Sequence, residues 1–331
     1  MVVHQYKVTE ISHSLNQTFD LFIGCSSFEM RCLSFIQNFD INKFTTALVF
    51  YNKDCLDHIK TNKEEMESIL GEKGTFVELL HSDPIYTADQ IKNSLLAISE
   101  KQEIVSILLD ITTFTHESLL IIVRLLRLIF PNANIQCTYI NAREYSSKDK
   151  MKNKWLSKGI SEIRSVLGYA GNILPAQKTH LILIVGYEYE RATGIINALE
   201  PNCISLGFGR SDNATTQKDK DANEHYAWLV EQMATNYVDL DCFEVKCNDP
   251  FATSKAILRK LEDIKDRNVL IVPLNNKIST IGVAIASIRN DNVQACYAPA
   301  LMYNYDNYSE PGDICYLFEL PLLKNKKEDD N

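Results

Sequence analysis

The chain has 331 residues, 45% hydrophobic and 23% charged, with a formal net charge of −9. That length suits two domains of ordinary size, each able to bury its own core. The acidic balance excludes a broad electrostatic grip on nucleic acid, so no extended nucleic-acid surface is expected.

The opening MVVHQYKVTEISHS lacks the charged, apolar and small blocks of a signal peptide. The most apolar helical run, SLLIIVRLLRLIF, carries Arg124 and Arg127 and is too short to span a bilayer. No membrane partner and a cytoplasmic location are therefore expected. Nine cysteines occur without a CxxC pair, which favours reduced thiols over disulfides and argues against zinc; no metal site is expected.

In chain order, short β-branched and aromatic runs at 20–25, 45–51, 75–80, 104–110 and 134–140 read as buried strands. Segments 28–39, 53–70, 87–101 and 115–130 carry apolar residues at helical spacing, and Pro131 stops the last of them. The stretch 148–178 reads as a linker, basic at its start and bearing glycine and proline in GYAGNILPAQK. Strands then recur at 180–186, 203–208, 240–246, 268–274, 293–298 and 313–320, with helices at 188–199, 221–237, 251–266 and 278–289. The expected architecture is α/β: two tandem Rossmann-like, doubly wound parallel-sheet domains at 1–147 and 179–320. A disordered tail is expected at 321–331.

The halves look like copies. IQCTYINAREY pairs with VQACYAPALMY at one constant offset, matching Gln136 with Gln294, Tyr139 with Tyr297, Ala142 with Ala300 and Tyr145 with Tyr303. FIGCSSFEMRCLSFI similarly matches LIVGYEYERATGII, which pairs Glu29 with Glu190 and Arg31 with Arg191. LDITTFT is set against LNNKIST, which equates Asp110 with Asn275. Matched blocks in one order at a fixed period indicate internal duplication.

Ligands of open parallel sheets sit beyond the carboxyl ends of the strands, at the switch in strand order. Those ends carry Ser26, Ser27, Glu29, Arg31, Asp110, Thr112 and Thr115 in the first half, and Glu190, Arg191, Asn275, Asn276 and Lys277 in the second. Two readings stand side by side. Ser27 and Thr115 cap helices while Arg31 and Arg191 pair with carboxylates; or hydroxyls, charges and helix N–H groups converge on a phosphate. Tyr145 or Tyr303 would flank a base, and Arg210, in the long polar loop after LGFGRSD, would close on an anion. No Walker, GxGxxG, HExxH or Ser-His-Asp pattern is present, and no cofactor can be read. For catalysis, Asp110, Glu29 and Glu190 are the candidate bases.

LDITTFTH resembles the fourth-strand motif of the CRISPR-associated Rossmann-fold sensors, and the tandem plan resembles their fused relatives, the SAVED sensors of bacterial antiviral signalling. The resemblance falls on Asp110, Thr112 and Thr115, and in the second half on Asn275, Lys277 and Thr280. Thr113 and Phe114 replace the family's paired glycines, and His116 its lysine. It implies cyclic-oligonucleotide binding in a cleft between the halves, with a separate effector protein carrying the output. The functional expectation is therefore a nucleotide-like phosphorylated ligand bound between the halves and signalled to a partner. The alternatives are an enzyme acting on a nucleotide or phosphorylated metabolite, and a protein-binding scaffold.

Overall fold

The computed structural model describes residues 1–146, 155–209, 225, 228–232 and 239–321. The expectations for Arg210, for the helix at 221–237 in large part and for the tail beyond 321 lie outside the described residues. The described chain forms two compact units, residues 1–146 with 305–321, and residues 155–304.

In the first unit the elements are β1 (His4–Lys7), α1 (Ile11–Ser14), β2 (Phe19–Ser26), α2 (Arg31–Asn38), β3 (Phe44–Asn52), α3 (Leu56–Leu70), β4 (Gly74–Leu79), α4 (Pro84–Ser99), β5 (Ser106–Asp110), α5 (His116–Ile129) and β6 (Asn134–Tyr145). A last strand, β15 (Ser309–Leu320), arrives from the far end of the chain. The strand order is β1-β15-β6-β5-β2-β3-β4. β4, β3, β2, β5 and β6 run parallel, and β15 joins antiparallel to β6. Continuous apolar runs such as Leu21–Ile23 form strands here because helices cover both faces, leaving no side for an alternating polar pattern. The side chain of Asp83 caps α4, with Pro84 in the first turn, and Thr115 caps α5 by accepting the Ser118 N–H at 3.0 Å.

The second unit repeats this plan. It contains β7 (Ser157–Lys158), β8 (Arg164–Ser165), β9 (Thr179–Ile184), α6 (Tyr189–Leu199), β10 (Cys203–Phe208), β11 (Asp239–Glu244), α7 (Pro250–Asp263), β12 (Asn268–Pro273), α8 (Lys277–Arg289), β13 (Val293–Tyr297) and β14 (Met302–Tyr303). The sheet order is β11-β10-β9-β12-β13-β8, with β8 antiparallel to β13, and β14 pairs with β7. Both sheets have Rossmann-like strand order, turning back between β2 and β5 in the first unit and between β9 and β12 in the second.

Two boundaries differ from the sequence reading. The described part of the expected linker is structured: Val166 N–H donates to Ala295 at 2.9 Å, and Gly171 lies against the backbone of Gln294 at a positive φ of 65°. The strand expected to close the second domain instead pairs with β6 and β1 of the first. Hydrophobic pattern identifies a strand but not its partner, and here the partner is distant in sequence.

These strands obey one rule. In the first unit Ser309 pairs with Tyr145 and Tyr316 with Tyr139; in the second Ser157 pairs with Tyr303 and Arg164 with Tyr297. The segment that follows the first half completes the second sheet, and the segment that follows the second half completes the first.

Candidate functional site

The ladders set the true equivalence of the halves. Phe22 pairs with Leu108 and Leu108 with Gln136, as Leu181 pairs with Leu270 and Leu270 with Gln294. Counting along each strand from these anchors, Glu29 corresponds to Glu188, and Asp110 to Val272. The matches of Glu29 with Glu190 and of Asp110 with Asn275 are thereby corrected. The local sequence match is displaced by two positions at Glu29 and by three at Asp110, and only the strand register resolves it.

At the β2–α2 junction Arg31 and Glu29 are both buried. Arg31 Nε donates to Glu29 Oε2 at 2.9 Å, and Nη1 donates to the Ile140 carbonyl at 3.1 Å and to Tyr139 Oη at 3.3 Å. Ser309 Oγ donates to Glu29 Oε2 at 2.5 Å, and the Tyr145 ring lies 5.6 Å from the guanidinium carbon. The nearby Glu29 carboxylate, opposing the cost of burial, holds Arg31 above its ordinary pKa.

The second unit builds the same node. Arg191 Nη1 donates to Glu188 Oε2 at 2.6 Å, and Nη2 to the Ala298 carbonyl. Ser157 Oγ donates to Glu188 Oε1, and Tyr297 lies 5.9 Å from the guanidinium carbon. Arg191 is therefore protonated and paired, while Glu190 is exposed in the first turn of α6. The structural reading of the arginines holds. Arg31 and Arg191 each pair with a buried carboxylate, and Tyr145 and Tyr303 border those nodes instead of an open base site.

The loops after β5 and β12 form caps and bridges. Thr113 Oγ1 donates to the Cys25 carbonyl at 2.7 Å. Asn275 Nδ2 donates to the Val185 carbonyl at 2.5 Å, and Asn276 caps α8 by accepting the Ser279 N–H at 2.9 Å. Gly186 sits so close to the Leu274 carbonyl that an added Cβ would approach it to 2.9 Å. In each unit a loop side chain thus spans the switch in strand order. Lys277 is the first, half-buried residue of α8.

The first unit adds a polar set at this end. Asp110 is buried and accepts the Thr112 N–H at 3.1 Å and the Thr112 hydroxyl. Burial pushes the carboxyl up to about 6, against the pull of Thr112, Arg31 and Thr138. Thr112 Oγ1 also accepts the Ile140 N–H at 3.0 Å. Ser26, the last residue of β2, is 1% exposed, and its hydroxyl has no partner among the described residues. Ser27 is occupied, its hydroxyl accepting the Glu29 N–H at 3.4 Å and its carbonyl the Asn62 amide at 2.8 Å.

Sequence reasoning missed Thr138, Ser157 and Ser309. Thr138 pairs directly with Asp110 in the ladder, and neither serine has a local signal because the residue it bonds is far along the chain. A cavity of about 260 Å³ lies at the opposite, amino ends of β5 and β6, lined by Gln102, Val105, Ile129, Phe130 and Asn132 among others. Among the described residues no helix is long and apolar enough to cross a membrane, and no group of His, Cys, Asp and Glu is placed to hold a metal.

No family model matches the chain, and no curated protein matches its sequence. Among solved structures it is similar to the cytoplasmic domain of a prokaryotic cation chloride cotransporter, at 9% identity over 87% of this chain and 99% of that one, with a TM-score of 0.25. A functionally unknown protein from Pseudomonas aeruginosa matches at 8% identity over 84% of this chain and 92% of that one, with a TM-score of 0.24. A periplasmic ribose ABC transporter from Conexibacter woesei matches at 9% identity over 84% and 78%, with a TM-score of 0.24.

Proposed function

We propose that the protein binds a nucleotide-like phosphorylated ligand at the carboxyl ends of β2 and β5, and that a separate partner protein reads the bound state. One observation carries the reading: a buried, unpartnered Ser26 hydroxyl at the switch in strand order, on the unit that also buries Asp110 and Thr112 there. Buried polar groups are normally satisfied, so such a hydroxyl is an opening for a ligand. With the arginines committed, phosphate oxygens fall to backbone N–H groups of the β2–α2 and β5–α5 loops. The resemblance to the antiviral sensors fits a signalling role of this kind.

A second reading, an enzyme, is favoured by the Asp110 carboxyl itself. A group held at about 6 is well matched to take a proton near neutral pH. Thermal stability of the full chain against mono-, di- and cyclic nucleotides, followed by analysis of each mixture for consumption, separates the readings. A rise in midpoint with ligand left intact supports the binder. A consumed ligand, with turnover lost in Asp110→Asn, supports the enzyme. No rise across the panel refutes both and leaves a protein-binding scaffold, to which the bridged strand ends are suited.

A further inference from the structure

The duplication supplies an internal control for the first unit's polar end. Counting on from the last ladder pairs, Ser26, Asp110, Thr112 and Thr138 fall at the stations of Val185, Val272, Leu274 and Cys296. All four counterparts are buried and belong to one hydrophobic cluster with Leu181, Ala192 and Ile195. The fold therefore closes this end with apolar side chains when nothing else is required of it. A buried carboxyl and an unpartnered hydroxyl are costly where a valine serves, because each loses water without full replacement.

The chemistry of the set defines what it can seat. Asp110 is an acceptor when ionised, and Ser26 can both donate and accept. The charged group that bears on Asp110 is Arg31 of the node, and the thiols of Cys32, Cys137 and Cys315 approach it from α2, β6 and β15. Arg31 is already matched by Glu29. A phosphate here would meet the Asp110 carboxyl, with the one nearby guanidinium already committed, which is repulsive in a buried setting.

We infer that binding is one-sided: the first unit alone seats the ligand, and the group it seats beside Ser26 and Asp110 is an uncharged hydrogen-bonding part, a sugar hydroxyl or base N–H of a nucleoside, with the phosphate outside. This rests on the ligand-binding reading above and adds which unit acts and which end of the ligand enters. The second unit completes the architecture with an apolar interior at the same station.

The test grafts the second unit's residues onto the first, as Ser26→Val, Asp110→Val and Thr112→Leu together, in the full chain. Asp110→Asn, nearly isosteric, serves beside it should the triple variant fail to fold. Thermal midpoints are measured alone and with adenosine, guanosine, cytidine and uridine, their monophosphates, and inorganic phosphate. Without ligand, both variants are expected at or above the wild-type midpoint. The wild type is expected to rise with at least one nucleoside and its monophosphate but not with phosphate; the triple variant should rise with none, and Asp110→Asn less than wild type. A marked fall in the midpoint of Asp110→Asn overturns the inference, because the cluster is then structural. A wild type that responds to phosphate and not to nucleosides overturns the ligand assignment. Equal responses in wild type and both variants refute the site while leaving nucleotide binding intact. A wild type unmoved by every probe removes the binding reading, and the inference with it.

Discussion

Ser157 and Ser309 occupy the same station in the two units, each donating to the glutamate of a buried Glu–Arg pair, Glu188 and Glu29 respectively. Each serine comes from the segment that trails the other half of the sequence. The sheets are thus completed by exchanged strands, and each charged node is closed by an exchanged hydroxyl. Neither repeat is whole without chain from beyond its own boundary.

The nodes should govern stability, not affinity. Arg31→Ala and Arg191→Ala each leave a buried carboxylate unpaired, at a cost of about 3–5 kcal/mol. Ser309→Ala and Ser157→Ala remove one hydroxyl donor each, costing about 1–3 kcal/mol. Urea unfolding of the four variants checks this. Stability unchanged in Arg31→Ala would restore that arginine as a free ligand-binding group.

Asp110 should make the protein less stable as pH rises. Its folded pKa of about 6 exceeds the ordinary 3.8, so between these values the folded state holds the proton more tightly. Stability from this group is fully present below pH 3.8 and lost through pH 6, a swing of about 3 kcal/mol. The difference between wild-type and Asp110→Asn unfolding free energies, measured from pH 4 to 8, should show that slope. A flat difference refutes the raised pKa.

His180 should act in the opposite sense. Its Nε2 lies 2.7 Å from Ser205 Oγ, which in turn donates to Asp241. Burial and the positive charge of Arg267 lower the imidazole from 6.5 to about 4. The unfolded chain takes the proton first, so this contribution is complete above pH 6.5 and lost as pH falls through 4, again about 3 kcal/mol. Comparing wild type with His180→Leu, which installs the residue type of its first-unit counterpart Leu21, should show the acid loss confined to the wild type.

The α7–α8 crossing is set by one glycine. A Cβ at Gly282 would meet Thr253 Cγ2 at 2.6 Å and the Pro250 carbonyl at 3.0 Å. Gly282→Ala is expected to destabilise by about 1–3 kcal/mol through overpacking. Adding Thr253→Ser, which removes Cγ2 while keeping a hydroxyl to bond the Lys246 carbonyl, should restore part of the loss. No recovery in the double variant would place the strain on the retained Cβ of residue 253, at 2.7 Å, and on the Pro250 carbonyl.

Local chemistry determined much of this protein by itself. The apolar runs of β2, β5, β9 and β12, the helical spacing between them, Thr115 as a cap, and the repeated Tyr139 and Tyr297 all mark two Rossmann-like copies, because period and capping depend on neighbours in the chain. The polar ends of the strands were equally legible as a list of residues. Their roles were not. Whether Arg31 meets a phosphate or Glu29 depends on Tyr139, Ile140 and Ser309, which approach only when β6 and β15 pair. The match of Asp110 with Val272 depends on ladder register, and a sequence alignment drawn to the polar Asn275, three positions on, does not see it. The exchange of β15 for β7 and β8 joins segments far apart along the chain, and a strand's pattern of side chains does not record which edge it will meet. Those decisions belong to the tertiary structure, since burial, pairing and charge compensation are properties of neighbours in space.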